Sequence, residues 1–166
     1  MDKVRILQKN EINSKGKILL NSIKKYFDDT NKIQKMLPII TGKSKISLRV
    51  IDWLVTNYSK KNNIMYELKD NKIKYFNMYL EYKGQLKAYS KKYFDPFCRK
   101  DRITYCYDKS NEKYIITTIA QLNFFKWALK FKVLQYLEKN YEDIYHDIVF
   151  NKKNNKSYTG DSTTSS

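Results

Sequence analysis

The chain has 166 residues, and its 33 Lys and Arg against 17 Asp and Glu give a formal net charge of +16. This length and a hydrophobic fraction of 42% fit one globular domain and exclude a disordered chain. A compact domain this basic repels itself, and such a charge is usually kept because it attracts something negative. The candidates are nucleic acid, an anionic membrane surface and an acidic protein. A/T-rich coding, which favours Lys, Asn, Ile and Tyr, is the alternative explanation of the charge.

Lysine supplies nearly all of the positive charge, since the only arginines are Arg5, Arg49, Arg99 and Arg102. Lysine acts as a point charge on phosphate, whereas arginine reads guanine edges bidentately, so the balance favours backbone binding over base readout. No run of 18 apolar residues exists, and we expect no membrane span. The start of the sequence lacks the apolar core of a signal peptide. Cys98 and Cys106 are predicted to be reduced thiols of a protein that is not secreted.

The first third of the sequence predicts helices. Apolar residues spaced by three and four predict a helix over residues 12–27. Residues 28–30 are predicted to end this helix and to cap a second, short helix over residues 31–37, which ends before Pro38. A Gly-containing turn at 41–44 leads to a third helix with Ser47 as its N-cap. The apolar face of this helix consists of Leu48, Ile51, Leu54, Val55 and Tyr58.

The middle of the chain changes to a period of two, which is typical of strands. Residues 64–68 and 76–82 alternate around a turn at 69–72, so we predict a hairpin, although the spacing of Ile73, Phe76 and Leu80 also fits a helix. Residues 83–101 show little periodicity. A second hairpin is predicted from residues 103–107 and 114–117.

The C-terminal part predicts one long helix over residues 118–140, capped by Thr117 or Thr118, and then a short apolar piece. Residues 151–166 are polar and small, and we expect a disordered tail. The prediction is therefore a single α+β domain over residues 1–150, with N-terminal helices, two hairpins in one small antiparallel sheet and a long C-terminal helix. A winged-helix variant, with 47–60 as recognition helix and 64–82 as wing, is the alternative.

Catalytic motifs are scarce in this sequence. It has no phosphate-binding Gly loop and no zinc-protease or serine-hydrolase motif, and its one histidine, His146, lies alone. No cofactor and no metal are predicted. Metal-dependent nucleases often place a carboxylate and a lysine two residues apart on a strand. That pattern occurs here twice, at Glu67-x-Lys69 and Glu81-x-Lys83. Asp52 or Asp70 is a conceivable second carboxylate for the metal ion. Such pairs arise by chance in a Lys-rich protein, and we expect no enzyme.

The segment over residues 89–107, YSKKYFDPFCRKDRITYCY, interleaves basic and aromatic residues. Basic groups neutralise phosphate, while aromatic rings stack on bases. Alternatively, the rings are core residues and the charges are merely solvated. The candidate nucleic-acid-binding residues are Lys91, Lys92, Tyr93, Phe97, Arg99, Lys100 and Arg102.

Three strings in the sequence carry a resemblance to a known family: LPIITGKSKISLRVIDWLVTNYSKKN, YLEYKGQLKAYSKKYFDPFCRKDRI and ITTIAQLNFFKWALKF. They resemble a small uncharacterised protein family of nucleocytoplasmic large DNA viruses, of the mimivirus and phycodnavirus type. The resemblance covers residues 37–141. It implies a viral protein in the virion or in the host cytoplasm or nucleus, and it implies no activity and no catalytic residues.

The expected function is non-enzymatic nucleic-acid binding through phosphate contacts, with little sequence preference and with DNA expected ahead of RNA. A minor structural virion protein, whose basic surface binds acidic capsid or core proteins, is the second hypothesis. A Mg²⁺-dependent nuclease is the third.

Overall fold

The computed structural model describes residues 4–6, 12–69 and 75–163, with side chains over 12–69 and 75–155. It has the predicted α+β class. The elements in chain order are β1 Val4–Ile6, α1 Ser14–Tyr26, α2 Thr30–Ile40, α3 Leu48–Trp53, a π-helical turn Leu54–Tyr58, α4 Ser59–Lys61, β2 Met65–Glu67, β3 Tyr75–Asn77, α5 Met78–Phe94, β4 Arg102–Asp108, β5 Lys113–Thr118, α6 Ile119–Lys130, α7 Val133–Lys139 and α8 Tyr141–Thr163.

The cap of α2 is the predicted one, since Asp29 accepts a hydrogen bond from the Asn31 amide. The cap of α1 is Asn13, which was not predicted. However, α2 continues past Pro38, where the sequence predicted its end. The last turn is retained because Ile39 is buried, and because the Pro38 carbonyl accepts hydrogen bonds from the amides of residues 43 and 44.

The third predicted helix exists with Ser47 as its N-cap, and its middle widens into the π-helical turn. Its buried residues are Val50, Ile51, Leu54, Val55 and Ser59, so the predicted face is largely correct. This helix packs against both α5 and α8. The winged-helix alternative is wrong. The proposed wing is a hairpin of two strands with only three residues each, and α5 follows it directly.

The strands form two sheets rather than the single sheet predicted from the hairpins. β2 and β3 pair antiparallel as a short hairpin. The second predicted hairpin is present as β4 and β5, and β1 joins the other edge of β4 with Val4 opposite Tyr105. The order β1-β4-β5 leaves β5 at the edge of the described sheet.

Helix α5 is the largest difference from the sequence prediction. It replaces most of the predicted strand 76–82 and most of the stretch 83–101, which showed no clear period. Asn77 caps the helix, and a kink at Ser90, with φ 67°, redirects its last turn. Its side chains Tyr82 and Phe94 enter the core, where aromatic burial outweighs the local strand tendency of the segment.

Helix α6 forms the centre of the core. Its buried residues include Leu122, Phe124, Phe125 and Trp127, and it packs against α1 and α5. The predicted long helix 118–140 is divided, because Lys132 takes a left-handed conformation, with φ 61°, between α6 and α7. Thr118 is the N-cap.

Helix α8 is tied to α3 and α4 through Asp147. The Trp53 indole Nε1 donates to Asp147 Oδ2 at 2.8 Å, and Lys61 pairs with the same carboxylate. Burial opposes ionisation of Asp147, but the hydrogen bonds from Lys61 and Trp53 outweigh it and lower the pKa of the carboxyl. Within the described residues, no helix is long and apolar enough to cross a membrane.

The expected disordered tail is helical as far as Thr163. A helix extends at low cost from a packed start, because each added residue closes its own backbone hydrogen bond. Residues 152–155 are exposed, so this part of α8 lacks the burial that holds the start of the helix.

We therefore expect deletion of residues 152–166 to lower the Tm by no more than about 2 °C. Ile148→Ala is the control on the same helix. Ile148 is buried, and its truncation should cost about 2–4 kcal/mol. Thermal unfolding followed by circular dichroism compares the two, and a large drop in Tm on deletion would show that the end of α8 docks.

Candidate nucleic-acid interface

Residues 91–102, which we call the basic loop, comprise the last turn of α5 and the connection to β4. All five basic side chains that the sequence singled out are exposed: Lys91, Lys92, Arg99, Lys100 and Arg102. The aromatic residues divide into two groups. Phe94 is fully buried and Tyr93 is 7% exposed, whereas Phe97 is 46% exposed.

Tyr93 is therefore a structural residue, and its assignment as a base-stacking residue is wrong. Its hydroxyl donates to Asn13 Oδ1 at 2.8 Å, and the same oxygen accepts the Gly16 amide that caps α1. The Asn123 side chain donates to the Tyr93 carbonyl at 2.9 Å. Gly16 is required at its position, since a Cβ there would lie 2.6 Å from Ile12 Cγ2.

These contacts bring a distant lysine to the basic loop. Lys15 Nζ lies 5.7 Å from the Tyr93 ring centroid, and Lys92 Nζ lies 5.5 Å from it. Lys100 lies close by, since it lines a small cleft together with Lys92 and Tyr93. Asp101 partly offsets this charge, with 4.0 Å between its Oδ2 and Lys92 Nζ. Lys15 was not among the residues predicted from the sequence, because only the packing of α1 against Tyr93 places it here.

Phe97 is held outward by a constrained turn. Asp95 Oδ1 accepts the Phe97 amide at 2.9 Å, and the Asp95 carbonyl accepts the Cys98 amide at 3.0 Å. From α6, Gln121 Nε2 donates to the Pro96 carbonyl at 3.3 Å. The chain therefore turns sharply at residues 95–96, and this turn fixes the side of the loop on which Phe97 lies.

Beside Phe97 is an open cleft of about 340 Å³. Its walls come from the basic loop, from the end of β5, from the first turn of α6, and from Ile40 of α2 and Leu48 of α3. Arg99 and Arg102 line it, and within residues 12–69 and 75–155 neither forms an ion pair. Ile116, which is 62% exposed, contributes an apolar wall from β5.

Lysine is also concentrated on the helices α1, α5 and α6, of which α1 and α5 both pack against α6. These three helices carry ten lysines and a single acidic residue, Glu81. Lys126 of α6 donates to Ser22 Oγ of α1 at 2.5 Å. Burial, and then the charge of Lys130, lower the pKa of Lys126. Lys126 and Lys130 therefore repel each other, and a bound polyanion would reduce that repulsion.

The residues of the nuclease hypothesis are not arranged as that hypothesis requires. Glu81 and Lys83 lie on a helix, where residues two apart point to different sides, and Glu67 lies at the end of β2 with Lys69 in the turn beyond it. Asp70 lies outside the described residues. Among the part of the chain that the structure describes, no three His, Cys, Asp or Glu side chains form a possible metal site. His146 is exposed on α8, and both cysteines are free thiols.

Fold and surface together define a small basic α+β protein with a cleft lined by Phe97, Arg99 and Arg102. Residues 3–166 match a family of unknown function, DUF7197, and the chain belongs to this family. It is 46% identical over 143 residues to an uncharacterized protein of Acanthamoeba polyphaga mimivirus. The match covers 83% of this chain and 55% of that relative, so the chain spans about half of its length. The resemblance to a giant-virus family is confirmed. No solved structure matches the chain.

Proposed function

We propose that this protein is a non-enzymatic nucleic-acid-binding protein that contacts phosphates with little sequence preference. The supporting observation is the separation of charge. The helices α1, α5 and α6 carry ten lysines and one acidic residue, and the rest of the adjoining basic loop adds the exposed side chains of Arg99, Lys100 and Arg102 against Asp95 and Asp101. Random Lys enrichment from A/T-rich coding would not by itself remove acidic residues from three adjacent helices. Counterion release from phosphates supplies the binding free energy.

The predominance of lysine favours backbone contacts, because an ammonium group attracts any phosphate equally. DNA is the proposed partner ahead of RNA, in the virion or in the host cytoplasm or nucleus. The competing proposal is a minor virion protein whose basic surface binds acidic capsid or core proteins. The exposed side chains of Phe97 and Ile116 favour that proposal to the extent that they could anchor a protein interface.

We expect the protein to bind a fluorescent DNA oligonucleotide with an affinity that falls at least about tenfold between 50 and 200 mM salt, because even two phosphate contacts give a slope near −2. Fluorescence anisotropy at several salt concentrations measures this slope. Two oligonucleotides of unrelated sequence should bind with similar affinity, which tests the lack of sequence preference. Failure to bind at 50 mM salt would reject nucleic acid and leave the virion-protein proposal.

A further inference from the structure

We infer that the cleft beside Phe97 binds one unpaired nucleotide, so that the protein prefers single-stranded to double-stranded nucleic acid. The inference rests on the proposed function and adds the strand state of the ligand. The base would stack on Phe97, and its phosphate would meet Arg99 and Arg102.

The lining of the cleft supplies both chemistries that a nucleotide needs. Phe97 presents a half-exposed aromatic ring, on which any base can stack. Arg99 and Arg102 are two of only four arginines in the protein, and arginine matches the geometry of phosphate better than lysine does. The cleft therefore concentrates the residue type that the rest of the basic surface lacks.

The shape of the cleft favours an unpaired nucleotide. Its volume of about 340 Å³ is at the lower end of the range for small-ligand sites, which suits a single nucleotide. A base in a duplex is stacked on both faces and would have to leave the helix to reach Phe97, at a cost of a few kcal/mol. A base in a single strand does not meet this cost.

The site is also held in place before binding. The hydrogen bonds of Asp95 to the Phe97 amide and of Gln121 to the Pro96 carbonyl fix the turn that carries the ring. Gln121 is itself fixed, because its Oε1 accepts the Thr117 hydroxyl at 2.7 Å. An exposed aromatic ring on a constrained turn stacks with little loss of conformational entropy.

An acidic peptide is the rival ligand, since arginines and apolar walls suit it as well. The observations favour a nucleotide, because the cleft presents the half-exposed ring of Phe97 and is continuous along the chain with the lysines of the basic loop. A peptide needs no aromatic ring at the position of Phe97, so that a leucine there would serve it equally.

The test compares binding of a 12-nucleotide oligo(dT) with binding of a 12-base-pair duplex at 150 mM salt, using wild type, Phe97→Leu, Phe97→Trp and Phe150→Leu. Phe150 is a matched control, because it is an exposed phenylalanine on α8. Phe97→Leu should weaken oligo(dT) binding by about 5- to 100-fold and leave duplex binding unchanged, whereas Phe150→Leu should change neither. Phe97→Trp should retain binding, and oligo(dT) should quench the fluorescence of the added tryptophan.

The outcomes separate this inference from the proposed function. If wild type binds neither DNA, the proposed function fails. If it binds both DNAs equally, and Phe97→Leu matches wild type, the cleft is not a nucleotide site and the proposed function stands. If a polyglutamate peptide displaces oligo(dT) from wild type and from Phe97→Leu equally well, the cleft belongs to an acidic polypeptide and the inference is overturned.

Discussion

Phe94→Ala should destabilise the protein by about 3–5 kcal/mol and lower its Tm by roughly 6–20 °C. The Phe94 side chain is fully buried, and its ring centroid lies 5.4 Å from that of Phe124 and 5.5 Å from that of Trp127. Tyr82 and Tyr89 complete its surroundings. Truncation leaves a cavity among rigid rings that cannot close around it. Denaturant unfolding followed by circular dichroism measures the destabilisation.

Phe97→Ala is the matched comparison, since the two phenylalanines lie three residues apart in the same loop. The Phe97 ring is 46% exposed, so its truncation should cost less than about 1 kcal/mol. The two variants thus test whether Phe94 belongs to the core and Phe97 to the surface. Equal destabilisation by both would mean that Phe97 is also a core residue, in which case the cleft would not be a binding surface.

The sequence could not assign these two rings to core and surface. Both lie between the basic pairs Lys91-Lys92 and Arg99-Lys100, and both suit either base stacking or packing. A helical signal was present in the spacing of Tyr82, Leu86, Tyr89 and Tyr93, which all face the core or pack against it. The alternation of residues 76–82 masked that spacing, because the strand-like pattern runs across the point where β3 ends and α5 begins.

Local signals predicted the structure correctly where they act within a few residues. The caps at Asp29, Ser47 and Thr118 are side-chain hydrogen bonds to amides two or three residues on, and the turn at residues 108–111 closes the β4–β5 hairpin. Contacts between distant parts of the chain were not predictable from such signals. The pairing of Val4 with Tyr105 and the hydrogen bond from Tyr93 to Asn13 both join segments about 80 or more residues apart.

In the candidate site, too, local properties were predictable and long-range contacts were not. The exposure of its five cations was predicted correctly, because lysine and arginine rarely lie buried without a partner. Three features of the site depend on the packing of α1 and β5 against the basic loop. Lys15 joins the site, Tyr93 is buried, and Ile116 forms a wall of the cleft. No sequence pattern of short range carries that information.

The largest effect on binding is expected from changing Lys91, Lys92, Arg99, Lys100 and Arg102 together to Gln. Each phosphate that is no longer neutralised lowers the slope of log affinity against log salt by about 0.7 for single strands and 0.9 for duplex DNA. Removing all five cations would reduce the magnitude of the slope by up to about 3.5 for single strands and about 4.5 for duplex DNA, and affinity at 50 mM salt should fall at least ~100-fold. The fold should survive, because exposed charges contribute little to stability and the ion pair removed among the described residues, Lys92 with Asp101, is long at 4.0 Å.

A control of equal charge distinguishes a specific surface from a diffuse cation. Changing five exposed lysines outside the basic loop and outside α1, α5 and α6 removes the same charge, and the chosen set is Lys69, Lys109, Lys139, Lys152 and Lys153. We expect this control to reduce the magnitude of the salt slope by less than about 1 unit, because these side chains belong to other elements and none of them lines the cleft beside Phe97. Equal reductions in the two variants would show that binding depends on net charge alone. In that case the separation of charge on α1, α5 and α6 would have no role in recognition, and A/T-rich coding would be the better explanation of the basic composition.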